Sequence, residues 1–133
     1  MPELHARVRY ALRAAIDLAR HYKAESPIKI SDIADRTSVP PKYLVHILLS
    51  LKRHLLVNST RGPSGGYWLV RPPHAIPIAD IVDAVQNPRV RRDGPALEEV
   101  PCDRAINHVW RQAENVRRDF LKRVTLQDLL ASS

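Results

Sequence analysis

Cysteine is almost missing from this chain: Cys102 is the only one in 133 residues. One thiol excludes an internal disulfide framework, so stability has to come from packing. No apolar run is long enough to span a bilayer, and no signal peptide precedes the first helical segment. These absences point to a cytoplasmic protein with no membrane partner. Enzyme signatures are missing as well. There is no nucleophile elbow, P-loop or HExxH, and the glycines of the stretch 62–66 lack a following helix to hold phosphate. No catalytic residue is expected.

What is present is ordinary for a folded chain, 44% hydrophobic and 26% charged, and the length suits one domain with a modest core. The formal net charge of +7 is unevenly placed. Residues 1–75 hold 12 Lys/Arg against 5 Asp/Glu, whereas residues 76–133 hold 9 of each. A localised basic surface is the footprint of a nucleic-acid binder, because each phosphate contact releases counterions. A solubility surface would look the same by charge alone.

The stretch 30–70 carries the excess and has a readable order. Ser31 is a candidate N-cap for a short helix that runs out near Arg36. Thr37, Ser38 and Val39 suit a turn, and Pro41 can open a second helix, where a missing N–H costs nothing. Leu44, Ile47, Leu48, Leu51 and Leu55 recur at three- and four-residue steps as one buried face. Lys42, Tyr43, Val45, His46, Leu49, Lys52 and Arg53 lie off that face. Two strand-like runs, 55–60 and 67–70, flank Arg61-Gly62-Pro63-Ser64-Gly65-Gly66. A helix pair followed by a basic, glycine-tipped hairpin is the arrangement of a winged helix-turn-helix. The fold class is mainly α with a small β-hairpin wing and a long C-terminal dimerisation helix.

The flanking segments fit around this unit. Residues 4–22 read as a first helix with an apolar stripe of Leu4, Val8, Ala11, Leu12, Ala15, Leu18, Ala19 and Tyr22. Ile28 to Ile30 alternate and can pair with the wing. Pro77 stands where a helix can begin, with Ile78, Ile81, Val82 and Val85 as its buried face, and Asn87-Pro88 ends it. Residues 89–101 are polar and read as a loop, whose Arg89, Arg91 and Arg92 are either solvated or a further phosphate contact. Residues 103–123 read as a long helix with Ile106, Val109, Ala113, Val116 and Phe120 at steps of 3, 4, 3 and 4. That heptad-like seam suits a partner helix, so a homodimer is expected. Trp110, Leu121 and Val124 widen the apolar surface toward the rest of the subunit. Thr125 to Asp128 resembles a capping box with Asp in place of Glu, opening a short helix through Leu130. Residues 1–133 then form one domain: a DNA-binding part over 1–86, a loop over 87–101, and the dimerisation and terminal helices over 102–133.

The segments RGPSGGYWLVRPP and IPIADIVDAV, with RVRYALRAAIDLA near the start, resemble the Rrf-two (BadM-type) family of bacterial transcription regulators, from about Val8 to Leu130. The resemblance implies a homodimeric, cytoplasmic regulator, expected to be a repressor, that binds double-stranded DNA at a palindromic operator. On the recognition helix Lys42, Tyr43 and His46 are the candidate readers, with Ser38 as a phosphate contact from the turn. In the wing the candidates are Arg61, Gly62, Ser64, Gly65 and Tyr67, with backbone N–H groups as donors. Arg61 is suited to a narrow minor groove. The family's first helix lies beside the DNA-binding unit, which brings Arg7 and Arg9 within reach of phosphates. Val45 stands where some relatives carry a polar or acidic reader.

Many members of the family hold an iron–sulfur cluster through three cysteines in the loop before the long helix. Such clusters need four ligands, and this chain offers Cys102 alone, so no cofactor is expected. His108 lies six residues further on, and neither it nor His5, His21 or His74 has close metal-ligand spacing. Two readings stand for Cys102: an inert side chain, or the sensor of a redox- or metal-responsive regulator. A pure protein-interaction module is the remaining alternative. It would use the long helix and leave the basic wing unexplained.

Overall fold

The computed structural model describes residues 5–24, 26–86 and 98–132. The expectations for Leu4, for Asn87-Pro88 and for Arg89, Arg91 and Arg92 lie outside the described residues. The element order is α1 (Ala6–Arg20), α2 (Ile30–Thr37), α3 (Pro41–Arg53), β1 (Val57–Thr60), β2 (Gly66–Leu69), a 3-10 turn (Pro73–Ala75), α4 (Ile78–Val85), α5 (Asp103–Arg123) and α6 (Leu126–Ser132).

Helix α1 is the hub, and its alanines explain why. Ala11, Ala14, Ala15 and Ala19 are buried with Val8 and Leu18. Small side chains let α2, α3, α4, α6 and β2 all pack against this one helix. Leu12 and Tyr22 are only half-buried. Asp17, not foreseen on the buried face, is 4% exposed. Arg36 of α2 grips it with both arms, Nε donating to Oδ1 at 2.8 Å and Nη2 to Oδ2 at 3.0 Å. That hydrogen bond in turn holds the Arg36 guanidinium above its ordinary pKa. Asp17→Ala is expected to destabilise the protein by about 2 kcal/mol, the worth of a hydrogen bond to a charged group. The check is a lower urea midpoint at unchanged m. Arg7, within reach of phosphates on the family resemblance, is exposed but engaged within the chain: Nε donates to Val85 O at 2.7 Å and Nη2 to Ser50 Oγ at 3.2 Å. Its cation sits at the α4 C-terminus, where unpaired carbonyls favour positive charge.

Two details of the helix pair differ from the sequence reading. Ser31 is not the cap of α2; Lys29 is, with no side-chain bond, and Ser31 falls in the first turn. The reason lies one residue earlier. Ile28 pairs with Tyr67 of β2, N–H to O in both directions at 2.9 and 2.8 Å. The chain leaves that bridge straight into the helix, and Lys29 O accepts from Asp32 and Ile33 N–H, both at 3.1 Å. The second difference is Leu55, which is 75% exposed at φ 61°, while Leu56 is buried in its stead. The N–H of Leu55 bonds Lys52 O and that of Leu56 bonds Leu51 O, both at 3.0 Å. This is a Schellman motif with leucine where glycine is usual. Its left-handed residue turns outward, so the helical periodicity ends one residue early.

Pro41 opens α3 as expected, and Leu44, Ile47, Leu48 and Leu51 are buried. The hairpin strands are shorter than the expected runs. They pair antiparallel, Val57 with Leu69, Asn58 with Trp68, Ser59 with Tyr67 and Thr60 with Gly66. Val57 and Leu69 face the core; Asn58 and Trp68 face out.

Ile78, Ile81, Val82 and Val85 of α4 are buried as read. The capping box is formed, Thr125 N–H donating to Asp128 Oδ2 at 2.9 Å and Asp128 N–H to Thr125 Oγ1 at 3.3 Å. It opens α6, which runs to Ser132 and returns to α1. Helix α5 has the expected bounds, yet none of its residues is buried. Trp110, expected against its own subunit, is 68% exposed. Helix α4, the partner of α5, has eight residues and spans about 12 Å, against about 30 Å for α5. The N-terminal half of α5 therefore runs past it. The C-terminal half is held by Leu121 and by Arg118, which donates to both Asp83 carboxylate oxygens at 3.0 and 2.7 Å. Among the described residues no helix is long and apolar enough to cross a membrane.

Candidate nucleic-acid interface

The buried stripe of α3 leaves Lys42, Tyr43, Val45, His46, Leu49, Lys52 and Arg53 on the opposite, exposed face. Tyr43 is 48% exposed. Its ring stacks on Tyr10 of α1 at 6.1 Å between centroids and 30° between planes. The Lys42 ammonium lies 5.1 Å from the same centroid, inside cation–π range. Val45 and Leu49 add apolar surface, 47% and 43% exposed, of the kind that meets thymine methyls in a major groove.

Ser38 is exposed at the C-cap of α2 in the left-handed region, φ 59°. It leaves the helix there because Thr37 Oγ1 folds back to Ile33 O at 2.6 Å and Val39 is buried. Arg13 of α1 closes the same turn, Nη1 donating to Thr37 O at 3.3 Å.

The wing tip is a tight turn, Gly65 N–H donating to Gly62 O at 2.9 Å across Pro63-Ser64. Arg61, Gly62 and Ser64 are exposed. Gly65 and Tyr67, expected as DNA contacts, are placed differently. Gly65 is buried and its N–H is already bonded. A Cβ there would lie 2.3 Å from Thr60 O, so the residue serves the turn. Tyr67 is half-buried against the core, with its backbone paired to Ile28. The wing is tied to the recognition helix by Lys52 Nζ, which donates to Ser59 Oγ at 2.9 Å.

The sequence reading missed Tyr10 and Arg13. Neither breaks the periodicity of α1, and only the packing of α1 on the helix pair shows their contacts.

Ile106, Val109, Val116 and Phe120 are 53%, 61%, 70% and 57% exposed, and Ala113 is exposed beside them. Cys102, at the N-cap of α5, is a free and exposed thiol. Among the described residues no three His, Cys, Asp or Glu side chains come together in a way that would hold a metal ion.

The family Rrf2, whose description reads "Iron-dependent Transcriptional regulator", matches residues 4–132. An iron–sulfur cluster takes four ligands, and the chain has one thiol, Cys102. Among sequence relatives, a chain of Azotobacter vinelandii whose name describes an HTH-type transcriptional regulator, ORF2, is 34% identical over 94% of this chain and 77% of its own. The HTH-type transcriptional regulator IscR of Pectobacterium atrosepticum is 32% identical over 96% and 78%. Among solved structures, IscR of T. potens matches with a TM-score of 0.78 at 27% identity over 98% and 88%. CymR, the global cysteine regulator of B. subtilis, matches with 0.77 at 28% over 100% and 99%. The helix pair, the wing and the long last-but-one helix thus recur at full length in regulators of this type, and the chain belongs to the Rrf2 family of winged helix-turn-helix, DNA-binding transcriptional regulators.

Proposed function

We propose that the chain acts in the cytoplasm as a homodimeric repressor on a palindromic operator. The N-terminal turn of α3 reads bases in a major groove through Lys42, Tyr43 and His46. Arg61 enters the adjoining minor groove, and Ser38, Gly62 and Ser64 meet phosphates. The observation that carries this reading is the division of α3. Four apolar residues lock one face into the core, and the opposite face presents three basic groups, an aromatic ring and an imidazole to solvent. The Lys52–Ser59 bond keeps that face and the wing in one frame.

Dimerisation follows from α5. Its seam of Ile106, Val109, Ala113, Val116 and Phe120 is a solvent-facing apolar stripe on a helix with no fully buried residue in its own subunit. The stripe continues into an open apolar groove of ≈450 Å³ lined by Val8, Leu12, Ile78, Val82, Val116 and Phe120. A second copy covers both, and its two-fold axis sets the two recognition helices about one DNA turn apart. A dimer seated on a promoter represses by excluding polymerase. We assign the chain no catalytic residue and no cluster.

Selection of the bound sequence from a random pool of duplexes tests the reading. A palindromic consensus, bound with a steep salt dependence, is the expected result. No affinity for any duplex at low ionic strength overturns it. On the selected operator Arg61→Ala is expected to weaken binding by about 1–3 kcal/mol. Unchanged affinity at physiological salt removes Arg61 from the interface.

A further inference from the structure

Three residues of α1, spaced i, i+3 and i+7, hold the helix-turn-helix at three points. Asp17 grips Arg36 of α2, Arg13 holds the carbonyl of Thr37 at the turn, and Tyr10 stacks on Tyr43 of α3. The first two contacts are made to α2 and its end. The third is made to a side chain that faces DNA.

We propose that Tyr10 is a positioning residue for base recognition: it stacks on Tyr43 and holds that ring, with Lys42 beside it, in the orientation that meets the bases. The proposal rests on the reading of Tyr43 as a base contact. The physical case is one of order. A tyrosine 48% exposed at the start of a helix ordinarily samples several rotamers. Fixing such a side chain on binding costs free energy, and a site already ordered avoids that cost. A centroid separation of 6.1 Å with planes inclined by 30° is an offset stack, in the range that aromatic pairs prefer. Tyr10 is itself half-buried on α1 and so makes a rigid backing. The Lys42 ammonium, 5.1 Å from the Tyr43 centroid, shares the ring's orientation. Losing the stack frees both candidate readers at once while leaving the basic surface unchanged. Specific binding should then fall and non-specific binding should not.

The test uses full-length protein, the duplex selected as the best binder of the parent chain, and a scrambled duplex of equal length. The variants are Tyr10→Leu, Tyr10→Phe, Tyr43→Ala and the double variant Tyr10→Leu/Tyr43→Ala. Tyr10→Leu is expected to weaken operator binding about fivefold, the worth of an aromatic pair, with scrambled-duplex binding unchanged. Tyr10→Phe keeps the stack and should bind as the parent does. In the double variant Tyr10→Leu should add nothing to the loss from Tyr43→Ala. Should Tyr10→Leu not fold, Tyr10→Gln, similar in length and without a ring, takes its place. Equal weakening on both duplexes overturns the proposal, because a merely structural or phosphate-contacting residue behaves that way. Additive losses in the double variant overturn it too. If Tyr43→Ala alone leaves operator affinity intact, Tyr43 is not a reader, and that failure is distinct from a Tyr43 that reads without help from Tyr10.

Discussion

A chain carrying Val109→Glu and Val116→Glu is expected to sediment as a folded monomer and to bind a two-half-site operator at least about 100-fold more weakly than the parent. The two valines lie one heptad apart on α5 and are 61% and 70% exposed. Neither belongs to the core of its own subunit, so circular dichroism should show the helices intact. In the proposed dimer they face a second α5, and each glutamate must lose its water or its charge. Burying an unpaired carboxylate costs several kcal/mol, and four arrive together on the two-fold seam. The DNA effect then follows without any change at the recognition helix. Two linked half-site contacts act at an effective concentration in the millimolar range, and a monomer forfeits that advantage of about 10²–10⁴. A variant that still sediments as a dimer would falsify the assignment of the seam.

The second large effect is expected at Gly66. In Gly66→Ala the new Cβ would lie 2.4 Å from Ile28 O, 2.6 Å from Ile28 C and 2.9 Å from Ile28 N. All three are backbone atoms, so no rotamer change relieves the clash. The bridge between Ile28 and Tyr67 has to open, and the wing moves with it. Overpacking and two lost hydrogen bonds together cost about 3 kcal/mol. Gly62→Ala is the internal comparison. There φ is +104° but nothing lies within 4 Å, so only backbone strain of about 1 kcal/mol is expected. Urea unfolding checks the order. Gly66→Ala must lose clearly more than Gly62→Ala, and equal losses would show that the bridge does not constrain the wing.

Much of the fold was legible because its signals are local. The three- and four-residue spacing of Leu44, Ile47, Leu48 and Leu51 reports a face that is in fact buried. The 3-4 spacing along α5 reports a stripe with the expected helix bounds. Pro41 at the first position of α3 and the Thr125–Asp128 box mark helix starts through a missing or supplied hydrogen bond, and both starts are where the sequence places them. The misreadings share a cause. Ser31 has the chemistry of a cap, but the bridge at Ile28, made to a residue 39 positions away, decided where α2 begins. Leu55 continued the helical period, but a left-handed turn handed its place to Leu56. Gly65 and Tyr67 carry backbone N–H groups that the sequence offers as donors to DNA, yet in the fold Gly62 O accepts from the first and Ile28 O from the second.

The sequence by itself determined the order of helices and strands, the polar face of α3, the basic first half and the shortage of thiols. Each of these follows from residue type and spacing along the chain. Tertiary structure alone decided which polar groups are held and which are offered. Arg7 looks like a phosphate ligand until Val85 and Ser50 take its guanidinium, and Asp17 looks like a solvated charge until Arg36 is seen closing on it. Tyr10 and Tyr43 stand 33 residues apart, and only the packing of α1 against α3 makes them one stack. The physical reason is that a side chain's partner is chosen by proximity in space, which periodicity along one helix does not encode.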